Sequence, residues 1–390
     1  MSTPPRILIL TASVGAGHIR AAEAVELALK QLAPEAVVRN VDLMTCATAA
    51  FRQVYAKSYL DLVSKAPHLL GFFYDLTDKA PSAKRVSDRF RLMVERANLT
   101  KLNPILAEPW DIVVNTHFLP AEIIARLRRK KKWAVRASGK PVPQYTVVTD
   151  FDAHGLWVND PTDHYFVATE EAAISLGRWG VAREIVTITG IPIHPVFAQA
   201  KDAKGCREKH GLSQDRPVVL LLAGGFGVGP IEQLFEAVLE VERPVHVAVV
   251  CGRNEALKKA LAKVKLPARH KATVLGFTRD MDELMAAADI VVSKPGGLTT
   301  SEILARGAAM AIVNPIPGQE SRNSDFLLEN GAAIKINSAA VLPYKLGQLL
   351  GEVTGGRLVA LRKNAGALGH PRAAFDVAAA VLRSALSGSR

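Results

Sequence analysis

Ile7-Leu-Ile-Leu10 runs directly into Thr11-Ala-Ser-Val-Gly15-Ala-Gly17-His18, and reading these two pieces together decides the fold. Four consecutive apolar residues predict a short strand buried on both faces, since a half-exposed strand alternates apolar and polar positions. The glycines predict a loop, a helix follows from about Ile19 to Leu32, and Val37–Val41 is a second strand. Strand, loop, helix, strand is a βαβ unit, which lays its strands parallel in one sheet. Working outward, Ile112–Asn115, Tyr145–Thr149, Tyr165–Ala168 and Ile185–Thr189 read as further strands. A mostly helical stretch from about Ala47 to Leu106 mixes aromatic residues with Lys and Arg.

Gly190-Ile-Pro-Ile-His-Pro195 is a turn-rich exit, and the polar stretch Ala198–Arg216 reads as a link carrying a short helix. The pattern then restarts. Val218–Leu222 is a strand entering a glycine loop, and Val245–Cys251, Thr273–Leu275, Ile290–Ser293 and Met310–Val313 are strands mostly followed by helices. A helix is expected from about Asn254 to Val264. The expectation is an α/β protein of two doubly wound, Rossmann-like domains facing a cleft: residues 1–197, residues 198–371, and a C-terminal helix in 372–390.

Composition agrees with that division. A chain of 390 residues exceeds one ordinary core and suits two domains of roughly 150–200 residues. Cys46, Cys206 and Cys251 are far apart and have no metal-ligand spacing, so neither a disulfide framework nor a zinc site is expected. No secretory signal pattern opens the sequence, and no stretch reaches the ~18 apolar residues of a membrane span. A cytoplasmic protein is the expectation.

The net charge of +12 is unevenly spread: Lys79–Lys140 holds 15 Lys/Arg against 5 Asp/Glu. Such a cluster seeks anionic partners, phospholipid headgroups or nucleic acid, although a solvated helix face and loop carry the same pattern.

Five motifs sit where strands are expected to end. In Gly15-Ala-Gly17-His18 the glycines allow close backbone approach to a ligand and the following helix offers unpaired N–H groups; a tight βα turn uses the same residues. His18 at the mouth of a parallel sheet is placed for proton transfer. Thr149-Asp150-Phe-Asp152-Ala-His154-Gly-Leu-Trp157 offers Asp150 as an orienting or proton-accepting group, with His154 and Trp157 on the acceptor side. Asp-Phe-Asp also resembles a D-x-D metal clamp, but no further oxygen ligands are suggested nearby. Gly224-Gly225-Phe-Gly227-Val-Gly229 reads as a diphosphate cradle and lacks the Gly-Lys-Ser/Thr ending of an ATP-binding loop.

In Lys294-Pro-Gly296-Gly297-Leu298-Thr299-Thr-Ser301-Glu302 the turn gives way to a helix near Thr299. Leu298 and Thr299 can present N–H and hydroxyl groups to phosphate. Glu302 can accept both hydroxyls of a ribose diol, or merely complement the helix dipole. In Pro317-Gly-Gln319-Glu320 an amide beside a carboxylate suits sugar hydroxyls and equally suits a polar surface turn.

These motifs occur in order with Gly190-Ile-Pro-Ile and Val250-Cys-Gly-Arg253-Asn254, and the ordered set resembles the monogalactosyldiacylglycerol synthase and processive diacylglycerol glucosyltransferase family, from about Ile7 to Ile334. The resemblance implies a GT-B fold, with a lipid acceptor bound by the N-terminal domain and a UDP-sugar by the C-terminal one. It implies inverting transfer of glucose or galactose to diacylglycerol at the cytoplasmic membrane face, with no cofactor or metal.

Carried over by residue, Glu302 holds the ribose; Gly225, Gly227, Gly297, Leu298 and Thr299 line the diphosphate site; and Gln319 and Glu320 hold the transferred sugar. Arg253 and Phe277 lie near the uracil or diphosphate. His18, with Asp150, serves the acceptor hydroxyl, with Gly15, Gly17, His154 and Trp157 around it. The last helix, Arg372 to Leu386, crosses back to the first domain.

Ala223-Gly-Gly-Phe226-Gly-Val departs from the plant-type loop, which carries an acidic residue at the Phe226 position, and this leans toward the bacterial glucosyltransferases. The basic 79–140 region gains an anionic membrane as partner, and no nucleic-acid motif is present. A UDP-sugar 2-epimerase, a transferase using another lipid acceptor, and a non-catalytic basic binding module are the competing readings.

Overall fold

The computed structural model describes residues 4–13, 15–48, 100–136, 139–223, 230–351 and 356–387. The helical expectation for 49–99, most of the basic cluster's first half, and the loop carrying Gly225 and Gly227 lie outside the described residues.

The chain packs as two compact units: Met1–Pro195 with Ile316–Arg322 and Arg372–Arg390, and Val196–Pro315 with Asn323–Pro371. Each contains one six-stranded, wholly parallel sheet.

In the first unit β1 (Arg6–Thr11), β2 (Val37–Asp42), β3 (Ile112–Asn115), β4 (Gln144–Val147), β5 (His164–Val167) and β6 (Val186–Ile188) are ordered β2-β1-β3-β4-β5-β6. Ile7 to Leu10 are fully buried, which explains the unbroken apolar run: helices cover both faces of the sheet. One covering layer pairs the helices Ala16–Leu32 and Ala373–Ser387. Ala21, Ala22, Val25, Ala28 and Leu29 of the first are buried, as are Ala374, Val377, Ala378, Val381 and Ala385 of the second. Small residues on both faces let the helices approach closely, and each buried Val or Leu adds about 1.5–3 kcal/mol.

The second unit holds β7 (Val218–Leu222), β8 (His246–Val250), β9 (Lys271–Leu275), β10 (Ile290–Ser293), β11 (Ala309–Val313) and β12 (Ala333–Ile336), ordered β12-β11-β10-β7-β8-β9. The edge strand β12 is absent from the sequence reading. It is four residues long, and Lys335 interrupts the apolar pattern.

Helix starts differ in a consistent direction. The first helix begins at Ala16 rather than near Ile19, and the helix after β10 at Gly297 rather than near Thr299. In both cases glycine, a weak helix former, occupies the first turn. At Gly15 a φ of 100° makes the turn out of β1, a conformation that side chains with a Cβ rarely adopt. All three cysteines are free and buried.

Strand order locates the places where ligands bind in such sheets. The connection from β1 leads to one side of the sheet and the connection from β3 to the other, so the switch point lies between these two strands. In the second sheet it lies between β7 and β10.

Candidate functional site

At the first switch point the carboxyl ends of β1, β3 and β4 bring together His18, Thr116, His117, Thr149 and Asp150. His18 is the third residue of its helix, half-buried. Its Nδ1 lies 3.0 Å from the Thr116 carbonyl oxygen and 2.8 Å from the Thr149 hydroxyl, and the Thr116 hydroxyl donates to the His18 carbonyl at 3.0 Å. A carbonyl can only accept, so Nδ1 carries the proton and Nε2 holds the lone pair. Burial pushes the His18 imidazole down to about 4 against the pull of the Thr116 carbonyl. At neutral pH it is therefore an uncharged base of fixed tautomer.

His117, not singled out by its sequence, packs edge-on against His18 with ring centroids 4.5 Å apart. It is 1% exposed, and its Nδ1 accepts from the Leu119 N–H at 3.0 Å, capping the helix Phe118–Arg129. Burial, then His18 and His154, hold His117 well below its ordinary range. Burial, then Arg322 and His18, hold His154 at about 3. The signal available in the sequence was Asn115-Thr-His117, polar residues directly after an apolar strand.

Asp150 does not pair with His18. Its Oδ2 accepts from Trp157 Nε1 at 3.2 Å and from Gln319 Nε2 at 3.0 Å. The same Gln319 nitrogen lies 3.3 Å from His154 Nε2. Burial raises the Asp150 carboxyl to about 7, with the Trp157 hydrogen bond opposing, Asp152 pushing further up, and Gln319 and Arg322 holding it down. It is the one group of this cluster placed to change charge near neutral pH.

Trp157 lies in the same cluster as His18 and His154. It is 0% exposed, with its ring 6.1 Å from His18, 5.9 Å from His154 and 5.6 Å from Phe118. Its place is beneath the cluster, supporting the ring stack and donating to Asp150. Asp152 is likewise committed: Oδ1 accepts from Ala153 N–H and Ser175, both at 2.8 Å, and Oδ2 from Arg322 at 2.8 Å.

Gln319 and Glu320 open the helix Gln319–Glu329, following Asn314 at φ 43° and Gly318 at φ 98°. The Glu320 carboxylate accepts from the Ile316 N–H at 2.7 Å, which holds this turn closed.

In the second unit, β7 to β11 end along one edge in register, Leu222 beside Val250, Val250 beside Leu275, and Ser293 beside Ile312. The loops after β8 and β9 stack the Arg253 guanidinium over the Phe277 ring at 5.5 Å, with Phe277 62% exposed. Asn254 caps the next helix by accepting from Leu257 N–H.

The helix Gly297–Ala305 starts at the second switch point. Its N-cap is Gly296, no side chain caps it, and no acidic residue stands in its first turn. The N–H groups of Gly297, Leu298 and Thr299 and the helix dipole therefore make an anion-receptive end. Leu298 and Glu302 are buried and Thr299 is half-buried. Asn323 Nδ2 donates to the Pro295 carbonyl at 2.9 Å and fixes the turn before that helix.

Residues 18–193 match the family described as monogalactosyldiacylglycerol (MGDG) synthase, and residues 219–376 match the glycosyltransferase family 28 C-terminal domain. The processive diacylglycerol beta-glucosyltransferase of Bacillus subtilis (strain 168) is 32% identical over 339 residues, 86% of this chain and 85% of the relative. Among solved structures, Acinetobacter baumannii MurG aligns with a TM-score of 0.59 at 19% identity, covering 97% of this chain and 100% of that one. The UDP-GlcNAc 2-epimerase of Neisseria meningitidis, bound to UDP-GlcNAc, aligns with a TM-score of 0.57 at 13% identity, covering 97% and 100%. At such identities the structures share the fold alone. Two parallel, doubly wound α/β units are the GT-B architecture. The chain belongs to the family of the processive diacylglycerol beta-glucosyltransferases, and within it residues 219–376 form a glycosyltransferase family 28 C-terminal domain.

Proposed function

We propose that this chain moves a hexose from a UDP-sugar to the hydroxyl of diacylglycerol with inversion, forming a β-glycosyldiacylglycerol. The observation that carries the mechanism is the clamp on His18: an uncharged imidazole whose Nδ1 is tied to Thr116 and Thr149, leaving Nε2 as the base. In the transfer, the acceptor O–H bond breaks toward His18 Nε2 and the oxygen attacks the anomeric carbon. The bond from that carbon to UDP breaks, and the electron pair leaves on the diphosphate.

The imidazolium that forms is stabilised by two neutral oxygens, the Thr116 carbonyl and the Thr149 hydroxyl. Asp150, tied to Trp157 and Gln319, acts as an organiser of the acceptor side rather than as the orienter of His18. The charge developing on the diphosphate falls to the open helix end at Gly297–Thr299, together with Gly225 and Gly227. Glu302 takes the ribose diol, and Arg253 with Phe277 takes the uracil. Gln319, whose Nε2 is committed to Asp150, offers Oε1 to the sugar, and Glu320 supplies a carboxylate.

The names of the relatives, diacylglycerol β-glucosyltransferases, support the acceptor class and favour glucose over galactose.

Diacylglycerol resides in a membrane, and no helix among the described residues is long and apolar enough to cross one. Peripheral docking on an anionic surface through the basic 79–140 region suits that acceptor. The helix Phe118–Arg129 ends in Arg126, Arg128 and Arg129, followed by exposed Lys130, Lys131 and Lys132. Arg128 pairs with Asp163 and Arg129 with Glu122, whereas Lys130, Lys131 and Lys132 make no ion pair among the described residues and are the part of this run that we assign to headgroups.

The test supplies UDP-glucose and UDP-galactose separately, each with and without dioleoylglycerol, and identifies products by mass spectrometry and anomeric NMR coupling. β-Glucosyldiacylglycerol formed only with both substrates supports the proposal. Release of UDP that ignores diacylglycerol, or a free 2-epimerised sugar, overturns it.

A further inference from the structure

His117 is buried, yet its helix cap uses only one of its two ring nitrogens. Nδ1 accepts from the Leu119 N–H at 3.0 Å and caps the helix Phe118–Arg129, which leaves the proton of the neutral ring on Nε2. Burial, then His18 and His154, hold the ring well below the ordinary histidine range, so it stays neutral and the tautomer persists. Among the described residues Nε2 has no hydrogen-bond partner. Nor is it an enclosed orphan such as Thr11 Oγ1 or Asn115 Oδ1, so this N–H keeps an opening.

Capping alone does not account for a histidine here. A cap needs one acceptor, which Ser, Thr, Asp or Asn supplies with fewer buried atoms. Packing does not account for it either, since a donor left unpartnered in a buried place is costly. What the ring lies against is His18, with centroids 4.5 Å apart and planes at 72°. The two rings hold complementary tautomers. His18 Nδ1 is tied to the Thr116 carbonyl and the Thr149 hydroxyl, so its Nε2 is a lone pair, whereas His117 Nε2 is a donor. At this separation a single oxygen at ordinary hydrogen-bond distances can meet the acceptor of one ring and the donor of the other. A hydroxyl, with one O–H and two lone pairs, answers both at once.

We propose that His117 orients the acceptor hydroxyl, donating from Nε2–H to one lone pair of the oxygen while the O–H points at His18 Nε2. The second lone pair is then the one that attacks the anomeric carbon. His117 gives up no proton: the acceptor proton passes to His18, and the new C–O bond forms as the bond to UDP breaks. An ammonium group has no lone pair to accept from His117, so the two rings together select a neutral alcohol. The inference rests on the transfer and the base proposed above, and adds the group that sets the direction of the attacking oxygen.

The experiment separates the two nitrogens. His117→Asn keeps an acceptor for the Leu119 N–H, and so the cap, but reaches no donor to the Nε2 position. His117→Gln brings an amide N–H toward the Nε2 position and is a poor cap. Initial rates of the full chain are measured in detergent micelles, varying dioleoylglycerol and then the UDP-hexose, UDP-glucose or UDP-galactose, that the parent turns over. UDP titration and melting temperature accompany each variant. In His117→Asn, kcat/KM for dioleoylglycerol should fall ~10-fold or more, with UDP affinity within about a factor of two of the parent and little change in melting temperature. His117→Gln should melt lower and yet keep roughly a third or more of the parent's kcat/KM. The reverse order, or equal losses in both, overturns the proposal and leaves His117 a cap. Should His117→Asn fail to bind UDP, His117→Ser, which also caps and lacks the donor, takes its place with the same expectation. A parent that makes no glycosyl lipid overturns the transfer reaction and this inference with it. An active parent, an inactive His18→Ala and a His117→Asn as fast as the parent overturn the role of His117 alone.

Discussion

Gln319 donates from Nε2 to Oδ2 of Asp150 at 3.0 Å, and the carboxyl that receives this bond is held near a pKa of 7 by burial. Between pH about 4 and about 7 the folded protein keeps a proton on Asp150 that the unfolded chain has already lost. Stability therefore falls as pH rises through that window, by up to ~1.4 kcal/mol per unit. Asp150→Asn cannot ionise and still accepts from Trp157 and Gln319. Its melting temperature should match the parent near pH 4, exceed it increasingly up to pH about 7, and stay higher by a constant margin above that. A constant difference at every pH would mean Asp150 is ionised throughout.

His18→Ala should lower kcat by ~10²–10⁴ while UDP affinity stays within a factor of two. Because burial holds the imidazole near 4, the acid limb of kcat/KM set by His18 in the parent should fall near pH 4, well below the ordinary histidine range. Steady-state kinetics from pH 4 to 9 separates the two possibilities.

Thr149→Val removes the hydroxyl beside Nδ1 at nearly constant volume. Hydrogen bonds to a charged group contribute about 1.5–3 kcal/mol, so kcat should fall ~10-fold or more, with KM for the donor little changed. Thr149→Ser should restore most of the rate. A loss that serine does not repair would assign Thr149 to packing alone.

Glu302 is buried at the helix that starts the second switch point. Glu302→Ala should weaken UDP by ~10–100-fold in direct titration, and should weaken 2′,3′-dideoxy-UDP no further than the parent protein does. Equal losses for both nucleotides would remove the ribose from its role.

Lys130→Glu/Lys131→Glu/Lys132→Glu should shift binding to vesicles containing phosphatidylglycerol by about 1 kcal/mol per reversed residue or more. Turnover of detergent-dispersed diacylglycerol should be unchanged. Sedimentation with neutral phosphatidylcholine vesicles provides the baseline, and identical losses there would point to an effect unrelated to charge.

Much of this protein was legible before any tertiary contact. Runs such as Ile7–Leu10 and Val218–Leu222 are apolar without alternation because both faces of a parallel strand are covered, and that requirement is written residue by residue. The glycine-marked strand ends then place candidate residues at the carboxyl edges of the sheets. Helix starts were less legible, because Gly17 and Gly297 are helical in context against their own preference, and β12 hid behind Lys335.

The relations among polar groups belong to tertiary structure. Nothing local ties His18 to Thr116, 98 residues away, or Asp150 to Gln319, 169 residues away. Sequence allowed Asp150 to serve His18; the fold gives His18 two threonine oxygens instead and turns the carboxyl to Trp157 and Gln319. Strand patterning follows from burial, which each residue's own side chain expresses. Tautomer, pKa and hydrogen-bond partner follow from which groups are desolvated together, and only the packed sheet decides that.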